Sequence, residues 1–246
     1  MNKKRGKISK ICALHYVKLA FRSVLFVTVL LAYIFNKLSL LANARLLLGA
    51  VWIFFVVEMV LRFFPSRFES MGCQKQFRRN FEPTEESRPS NQKWWQTFIV
   101  AALWLSLNGA IGALYFAGVI DAGIVILISI FFSVCDIICI LFFCPFQTWF
   151  MKNRCCTTCR IYNWDFAMMF TPLVFVPDLY TYSLLGCALL LLLRWELGYR
   201  MHPERFSSKT NECLDCKHCK EKLCHHKRQL KSFLKKHKQR FFGDKK

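Results

Sequence analysis

The sequence predicts an all-α integral membrane protein with about six hydrophobic segments and with both termini in the cytoplasm. Of the 246 residues, 54% are hydrophobic and 25 are phenylalanine, a share that the polar surface of a soluble domain rarely permits. These residues form long blocks, several of them near the roughly 20 residues that a helix needs to cross a bilayer. The ~10-residue alternating strands of a membrane barrel do not occur in the sequence.

Four of the apolar blocks predict clear spans. They cover about Leu19–Phe35, Leu46–Phe64, Trp94–Phe116 and Ile124–Phe143. The third block begins at a tryptophan pair, which suits the interface between membrane and water. The resulting order is a basic N-terminus with a first helical hairpin (1–64), a cytoplasmic loop (65–93) and a second helical hairpin (94–146).

The next apolar region, Phe166–Trp195, is too long for one straight span. Pro172, Pro177 and Asp178 interrupt it and favour a turn. The region therefore predicts either one kinked span or a short hairpin. The first arm of such a hairpin, Phe166–Pro177, measures only ~18 Å as a helix, so it ends partway through the membrane or draws on the residues before it.

The positions of lysine and arginine decide between these alternatives. A hairpin over 166–195 places the Cys-rich loop 147–165 and the Cys-rich basic tail 196–246 on the same side as the N-terminus. That side then carries 31 of the 35 basic residues. One kinked span would put the fifteen basic residues from Arg200 onward outside, against the positive-inside rule. We therefore predict a short hairpin or re-entrant pair, and a multi-pass protein of the cell membrane.

Eight of the 13 cysteines form or adjoin two clusters, and all eight fall on the predicted cytoplasmic side. That compartment is reducing, so metal binding is favoured over structural disulfides. The tail has the spacing C-x2-C-x2-C-x4-C, which suits four thiolates around zinc or an iron–sulfur cluster. The predicted ligands are Cys155, Cys156, Cys159, Cys213, Cys216, Cys219 and Cys224, with Cys144, His225 and His226 as further candidates.

The metal and the number of sites stay open at this stage. The x4 spacing and the flanking lysines and histidines depart from a ferredoxin and lean toward zinc. Each cluster holds its own metal, or Cys156/Cys159 and Cys213/Cys216 share one site that fixes the tail to the loop. The alternative is that the cysteines are free thiols or transient redox residues.

Three charged residues and one asparagine deep inside the predicted spans need partners, because an unpaired charge is costly there. Arg22 and Glu58 lie at similar depths in antiparallel spans, which predicts an ion pair between them. Asp136 lies between two cysteines of the fourth span, and Asn108 in the third span is its predicted hydrogen-bond partner.

The expected partners follow from the bilayer and from the charged tail. Residues 221–241 predict a basic amphipathic helix, which beside the lipid bilayer is expected to bind anionic lipid headgroups. A protein partner is the alternative. The sequence contains no base-reading motif, so the formal charge of +20 does not indicate nucleic acid.

The pattern CCTTCRIYNWD…MMFTP…RWELGYRMHPERF, followed by C-x2-C-x2-C-x4-C, resembles a group of uncharacterised bacterial integral membrane proteins with cytoplasmic cysteine clusters. The resemblance covers the second half of the chain and implies no activity and no catalytic residue. The chain also lacks a P-loop, a GxSxG motif and an HExxH motif, so the sequence does not favour an enzyme.

Three functional hypotheses follow from the sequence. The first is a membrane protein with a thiolate metal centre on its cytoplasmic face, used for redox chemistry or electron transfer if it holds iron and sulfur. The second is a zinc-stapled membrane scaffold for partner binding. The third is a transporter of a metal ion or small solute that uses Cys135, Asp136 and Cys139.

Overall fold

The regular structure is helical throughout the described part of the chain, apart from one isolated β-bridge between Pro83 and Asn211. The computed structural model describes residues 9–35, 40–67, 69–85, 88–89, 94–153, 155–219, 221, 223–224, 227 and 232. Its α-helices are α1 (Lys10–Phe35), α2 (Leu40–Arg62), α3 (Met71–Gln74), α4 (Trp94–Phe116), α5 (Ala122–Leu141), α6 (Asp165–Phe170) and α7 (Leu179–Met201). Short 3-10 turns cover Arg78–Asn80, Thr171–Phe175, Pro203–Phe206 and Glu212–Leu214, and a π-helical turn covers Phe146–Phe150.

Four of the described helices, α1, α4, α5 and α7, are long and apolar enough to cross a membrane. Helix α2 also has 23 residues, which gives a length of about 34 Å at 1.5 Å per residue. The predicted class, a helical protein with several helices of membrane length, is therefore confirmed.

The region that was predicted as a short hairpin is divided at the predicted turn. α6 and the 3-10 turn after it form one short apolar helix, Asp165–Phe175. α7 then begins at Leu179, and Asp178 caps it: the Asp178 carboxylate accepts from the Tyr180 N–H at 2.9 Å. Thr181 Oγ1 accepts in turn from the Asp178 N–H at 3.3 Å, so the two residues form a capping box. The two arms are unequal, since α7 has 23 residues.

The short helix contacts other helices at both of its ends. At its start, Asp165 accepts a hydrogen bond of 2.5 Å from Arg62, the last residue of α2. At its end, the Phe175 ring packs on Tyr115 and Phe116 at the end of α4, with ring centroids 6.4 and 5.8 Å apart. Its α-helical and 3-10 parts together measure about 19 Å.

Helix α5 is the centre of the bundle. α1 packs mainly on α5, α2 packs on α7, and α6 lies against both α5 and α7. The buried core between them includes Phe55, Met59, Phe166 and Leu191. The principal neighbour of α1 is therefore α5 and not α2, the helix that follows it in the chain.

Three segments pack together at one end of the bundle and form what we call the cap: the described residues within 63–85, 142–164 and 202–227. The first and third segments join at the bridge between Pro83 and Asn211, where the Glu212 N–H donates to the Glu82 carbonyl at 2.8 Å. Glu221 of the third segment accepts a hydrogen bond of 2.8 Å from Ser70 Oγ of the first. Both cysteine clusters therefore lie at the same end of the molecule.

Gly112 marks the closest approach between α4 and the 3-10 turn. A Cβ atom at this position would lie 2.4 Å from the Phe175 ring. We expect Gly112→Ala to displace that ring and to lower the free energy of unfolding by about 1–3 kcal/mol. Thermal unfolding in detergent measures the change. The matched control is Gly109→Ala, one turn earlier, where no atom lies within 4 Å of the added Cβ. Equal midpoints for the two variants would contradict the prediction.

Candidate functional site

The RIYNWD motif, directly after the CCTTC cluster, joins the cap to the bundle. Arg160 forms an ion pair with Glu196 of α7, and the Trp164 indole N–H donates to the same carboxylate at 2.8 Å. The Tyr162 hydroxyl donates to Ser70 Oγ at 2.9 Å. These contacts fix the cysteine cluster against α7 and against the loop that follows α2.

Lys75 holds the cysteine cluster from the other side. Its ammonium group donates to the carbonyls of Thr157 at 2.7 Å and Cys159 at 2.9 Å. It also lies over the rings of Trp195 and Phe206, 5.3 and 5.4 Å from their centroids. The side chain is fully buried, and this burial lowers the pKa of Lys75 from 10.5 to about 7.

The lowered pKa of Lys75 predicts a pH dependence of the cap. Between pH 7 and 10.5 the unfolded chain binds a proton that the buried amine does not hold. The stability of the cap therefore rises with pH across this window, by up to about 1.4 kcal/mol per pH unit. Protection against a protease measures the rise, and Lys75→Met should flatten it. The control is Lys152→Met, at an exposed lysine of the same cap. If the stability of the Lys75→Met variant rises with pH as much as that of the unmodified protein, Lys75 is not the cause of the pH dependence.

A buried ion network joins α1, α2 and α5 beneath the cap. Arg22 Nη2 lies 2.8 Å from Glu58 Oε2, and Arg22 Nη1 lies 3.2 Å from Asp136 Oδ2. Lys18 Nζ lies 2.6 Å from Glu58 Oε1 and 3.4 Å from Glu69 Oε1. The ion pair between Arg22 and Glu58 that the sequence predicted is therefore confirmed, and it belongs to a larger network.

The predicted hydrogen bond between Asp136 and Asn108 is wrong. Asn108 Nδ2 donates to the Trp104 carbonyl of its own helix at 2.9 Å, and Asp136 pairs with Arg22. The reason is that α1 packs closely on α5, which brings a cation to the carboxylate. A hydrogen bond to a charged partner is stronger than one to an amide.

The network continues to the first residue of α6. Arg62 Nη1 donates to Asn163 Oδ1 at 2.9 Å and to Asp165 Oδ2 at 2.5 Å. The guanidinium also lies over the Phe166 ring, 4.5 Å from its centroid. Asp165 Oδ1 has no hydrogen-bond partner among the described residues, and the residue is only 9% exposed.

The four tail cysteines do not surround one point. Cys224 is hydrogen-bonded to Cys155 of the loop. Cys213 and Cys219 line a separate cap cavity of about 670 Å³, and Cys216 is exposed. Within the described ranges, no group of three or more His, Cys, Asp or Glu side chains is arranged to hold a metal ion.

Two predictions concern residues outside the described part of the chain. His225 and His226 are not described, and only 221, 223–224, 227 and 232 of the predicted basic helix 221–241 are. Binding of that helix to anionic lipid remains a prediction from the sequence.

The first of two thiol pairs joins the loop to the tail. Cys224 donates a hydrogen bond to Cys155, and this bond is the largest cause that lowers the pKa of Cys155, to about 5. Thr157 Oγ1, 2.9 Å from Cys155 Sγ, and the backbone N–H groups of Thr157 and Thr158 also favour the thiolate. The pKa of Cys224 is raised, since it supplies the proton of the shared bond.

The second pair lies where α5 meets the cap. Cys139 donates to Cys144, and this bond is the largest cause that lowers the pKa of Cys144, to about 6. The Gln147 N–H also donates to Cys144 Sγ, at 3.4 Å. Cys156 lines one cavity of about 480 Å³ together with Cys144 and Cys224, one member of each pair.

Two other cap cysteines contrast with these pairs. Burial raises the pKa of Cys73 and that of Cys159 to about 12. Both thiols therefore stay protonated at neutral pH. Cys144 and Cys155 have a lowered pKa, so they form the nucleophilic thiolates there.

An apolar cavity of about 140 Å³ extends from α4 and α5 to the cap. Its wall contains five cysteines and two carboxylates together with aromatic and methionine side chains. These polar residues are Cys135, Cys139, Cys144, Cys156, Cys159, Asp136 and Asp165. The cavity therefore brings the intramembrane cysteines of α5 and the loop cluster to one space, which the sequence alone did not predict.

Sequence reasoning missed several residues of this site, among them Lys75, Gln147 and Thr157. Lys75 contacts residues 82 and 84 positions further along the chain, so spacing within the sequence gives no signal for it. Gln147 and Thr157 lie three and two residues from the cysteines they contact, but neither residue type marks such a contact in the sequence. The polar residues of RIYNWD were the one available indication. Comparison with protein-family models, with curated proteins and with solved structures gives no significant match.

Proposed function

We propose that this chain is a multi-pass membrane protein that carries out thiol–disulfide redox chemistry at its cap. The observation that carries the proposal is the pairing of thiols: Cys155 with Cys224 and Cys139 with Cys144. A pair of adjacent thiols holds two electrons, which it gives up by forming one disulfide bond. In each pair one member has the lowered pKa that a nucleophilic thiolate requires.

The pair that joins loop and tail suits exchange with a small disulfide such as oxidised glutathione. The Cys155 thiolate attacks one sulfur of that disulfide, a mixed disulfide forms and one small thiolate leaves. The Cys224 sulfur then attacks Cys155 Sγ, and the Cys155–Cys224 bond forms as the second small thiol leaves. Two electrons pass to the small disulfide, one proton comes from Cys224 and the other from water.

Redox titration tests this proposal. Purified protein is equilibrated in buffers with different ratios of reduced to oxidised glutathione. Its free thiols are then alkylated, and its peptides are analysed by mass spectrometry. We expect Cys155 and Cys224 to oxidise together, with one two-electron midpoint. Cys224→Ser should stop the reaction at a mixed disulfide on Cys155, whereas Cys187→Ser in α7 should change nothing. Independent oxidation of Cys155 and Cys224 would refute the proposal.

The proposed topology has six segments, with the cap and both termini in the cytoplasm. It is supported by the positive-inside rule and by the cap, which gathers the charged loops and the tail at one end of the bundle. A reporter fused after Lys246 should report the cytoplasm. Periplasmic activity of that reporter would refute the topology and would put the thiols in an oxidising compartment.

A zinc-stapled tail is the second candidate, favoured by one observation. Cys213, His218 and Cys219 line the same cap cavity, and Cys216 lies between them in the chain. Zinc would take these N and S ligands and stabilise the tail as a scaffold for a protein partner. Metal analysis of protein purified without oxygen should then give about one zinc per chain, lost in Cys213→Ser. A coloured protein with iron would instead indicate an iron–sulfur cluster, and absence of metal would exclude both.

Transport of a metal ion or small solute is the least favoured of the three hypotheses. Asp136, the carboxylate it requires, is engaged by Arg22. If transport is the function, Asp136→Asn should abolish flux into vesicles, and unchanged flux would discard it.

A further inference from the structure

The cavity between the bundle and the cap has the size of one six-membered ring. Its volume is about 140 Å³, and an engineered protein cavity of about 150 Å³ binds benzene. Trp104, Phe132 and Phe146 supply aromatic walls, with ring centroids 4.9 and 6.4 Å from Trp104. Such a lining favours a flat aromatic or quinonoid ring over a sugar or a phosphate.

Two residues of this wall each carry a buried polar atom without a hydrogen-bond partner. Trp104 Nε1, a donor, and Asp165 Oδ1 have no hydrogen-bond partner among the described residues, and both residues line the cavity. Buried polar atoms are normally paired, so unpaired ones in a cavity wall indicate a ligand with matching polar groups. An indole N–H suits a carbonyl oxygen, and a carboxylate oxygen suits a hydroxyl group.

The position of the cavity favours a lipid-soluble ligand. Trp104 lies ten residues into α4, about 15 Å along a helix of membrane length. Phe132 lies at the middle of α5, another such helix. A ring that enters between these helices comes from the membrane, and an alkyl tail on it remains among the lipids.

We propose that this cavity binds the ring of a lipid-soluble quinone and that the Cys139–Cys144 dithiol in its wall exchanges electrons with it. The inference rests on the proposed redox function and names its membrane substrate. It follows from the ring-sized cavity, from the unpaired Trp104 donor and Asp165 oxygen, and from the hydrogen-bonded thiols that share the wall.

The reaction balances with one proton from water. The thiol and the thiolate give two electrons to the quinone, and Cys139 also gives its proton, since Cys144 is already a thiolate. The Cys139 S–H bond breaks, one S–S bond forms between Cys139 and Cys144, and the ring leaves as a hydroquinone with two new O–H bonds. The reverse reaction reduces the disulfide. Trp104 donates to the quinone carbonyl, and Asp165 accepts from the hydroquinone hydroxyl.

The test uses full-length reduced protein in lipid nanodiscs without oxygen. The probe is a fully ring-substituted benzoquinone with a short alkyl tail, because thiols cannot add to its ring. We expect one hydroquinone, measured by ultraviolet absorbance, for each Cys139–Cys144 disulfide found by mass spectrometry. The double variant Cys139→Ser/Cys144→Ser should still bind the quinone, measured by equilibrium dialysis, but should form no hydroquinone.

A pair of tryptophan variants separates the cavity from general partitioning into lipid. Trp104→Phe should weaken quinone binding about tenfold, through the loss of one buried hydrogen bond. Trp149→Phe should leave it unchanged, since Trp149 is 64% exposed in the π-helical turn. Equal binding in the two variants would overturn the proposal, and so would hydroquinone formation by the double cysteine variant.

The quinone site and the redox function fail in different ways. If no quinone binds while Cys155 and Cys224 still titrate with glutathione, the quinone site is wrong and the redox function stands. If quinone binds but no disulfide forms at either thiol pair, both the redox function and the electron exchange with quinone are wrong.

Discussion

Replacing Arg22 by methionine is expected to lower the free energy of unfolding by about 3–5 kcal/mol, the usual cost of leaving buried charges unpaired. Arg22 is 0% exposed. Its guanidinium donates to Glu58, Asp136 and the Ser133 carbonyl, at 2.8, 3.2 and 2.9 Å. Methionine keeps most of the stem but supplies no donor, so two carboxylates lose a cation. Thermal unfolding in detergent measures the loss.

Two further variants separate charge from packing. Arg194→Met removes another arginine of the long helices, which is exposed in α7 and lies over Phe63 and Phe77. We expect this change to cost less than about 1 kcal/mol. Arg22→Met combined with Glu58→Gln and Asp136→Asn removes Arg22 together with its two carboxylates and should recover most of the stability, since Lys18 keeps Glu69 as a partner. A triple variant as unstable as Arg22→Met would show that lost packing, and not unpaired charge, is the cause.

The helices were predictable because their signals are local. A run of apolar residues such as Trp94–Phe116 has to be a helix in lipid, where each backbone group needs a partner within its own segment. The break before α7 was predictable for a similar reason. Pro172 and Pro177 disfavour a continuous helix, and Asp178 is a residue type that caps the next one. These three residues lie within one stretch of seven, 172–178, so the signal for the break is local.

The partners of the buried charges were only partly predictable. The pair Arg22–Glu58 was predictable because both residues lie at similar depths from the same predicted membrane surface. Asp136 was not predictable as a second partner of Arg22, because no local feature of the sequence indicates that α1 packs on α5. Lys18 and Arg62 were missed because they lie at the ends of spans, where a basic residue is ordinarily explained by the interface.

The partners of the cysteines were not predictable from the sequence either. The spacing of the tail predicts that Cys224 joins Cys213, Cys216 and Cys219. In the structure Cys224 pairs instead with Cys155, 69 positions earlier in the chain. Sequence spacing describes what a segment does alone, whereas Lys75 and the RIYNWD motif bring the loop to the tail. The distribution of basic residues predicted that both clusters lie on the same side of the membrane, but it gives no information on which thiols are in contact.

The alkylation of Cys155 by iodoacetamide is expected to be almost independent of pH between about 6 and 8. Its pKa of about 5 means that the thiolate is already fully formed in this range. An ordinary thiol, with a pKa near 8.5, reacts about tenfold faster per pH unit over the same range. At pH 8 Cys155 should also react more slowly than a free thiol, because a thiolate of low pKa is the weaker nucleophile. Peptide mass spectrometry gives the rate at this residue.

Variants of the two hydrogen-bond donors test why the profile is flat. Cys224→Ala removes the largest cause of the lowered pKa, and Thr157→Val removes the hydroxyl at 2.9 Å. Each change should raise the pKa of Cys155, and the double variant should restore a steep rise of rate with pH. Cys187→Ala, at a partly buried residue that packs against the core of the bundle, should leave the profile flat. If the rate in the unmodified protein rises steeply with pH, Cys155 is not a thiolate at neutral pH. If the rate in the double variant stays independent of pH, groups other than Cys224 and Thr157 stabilise the thiolate.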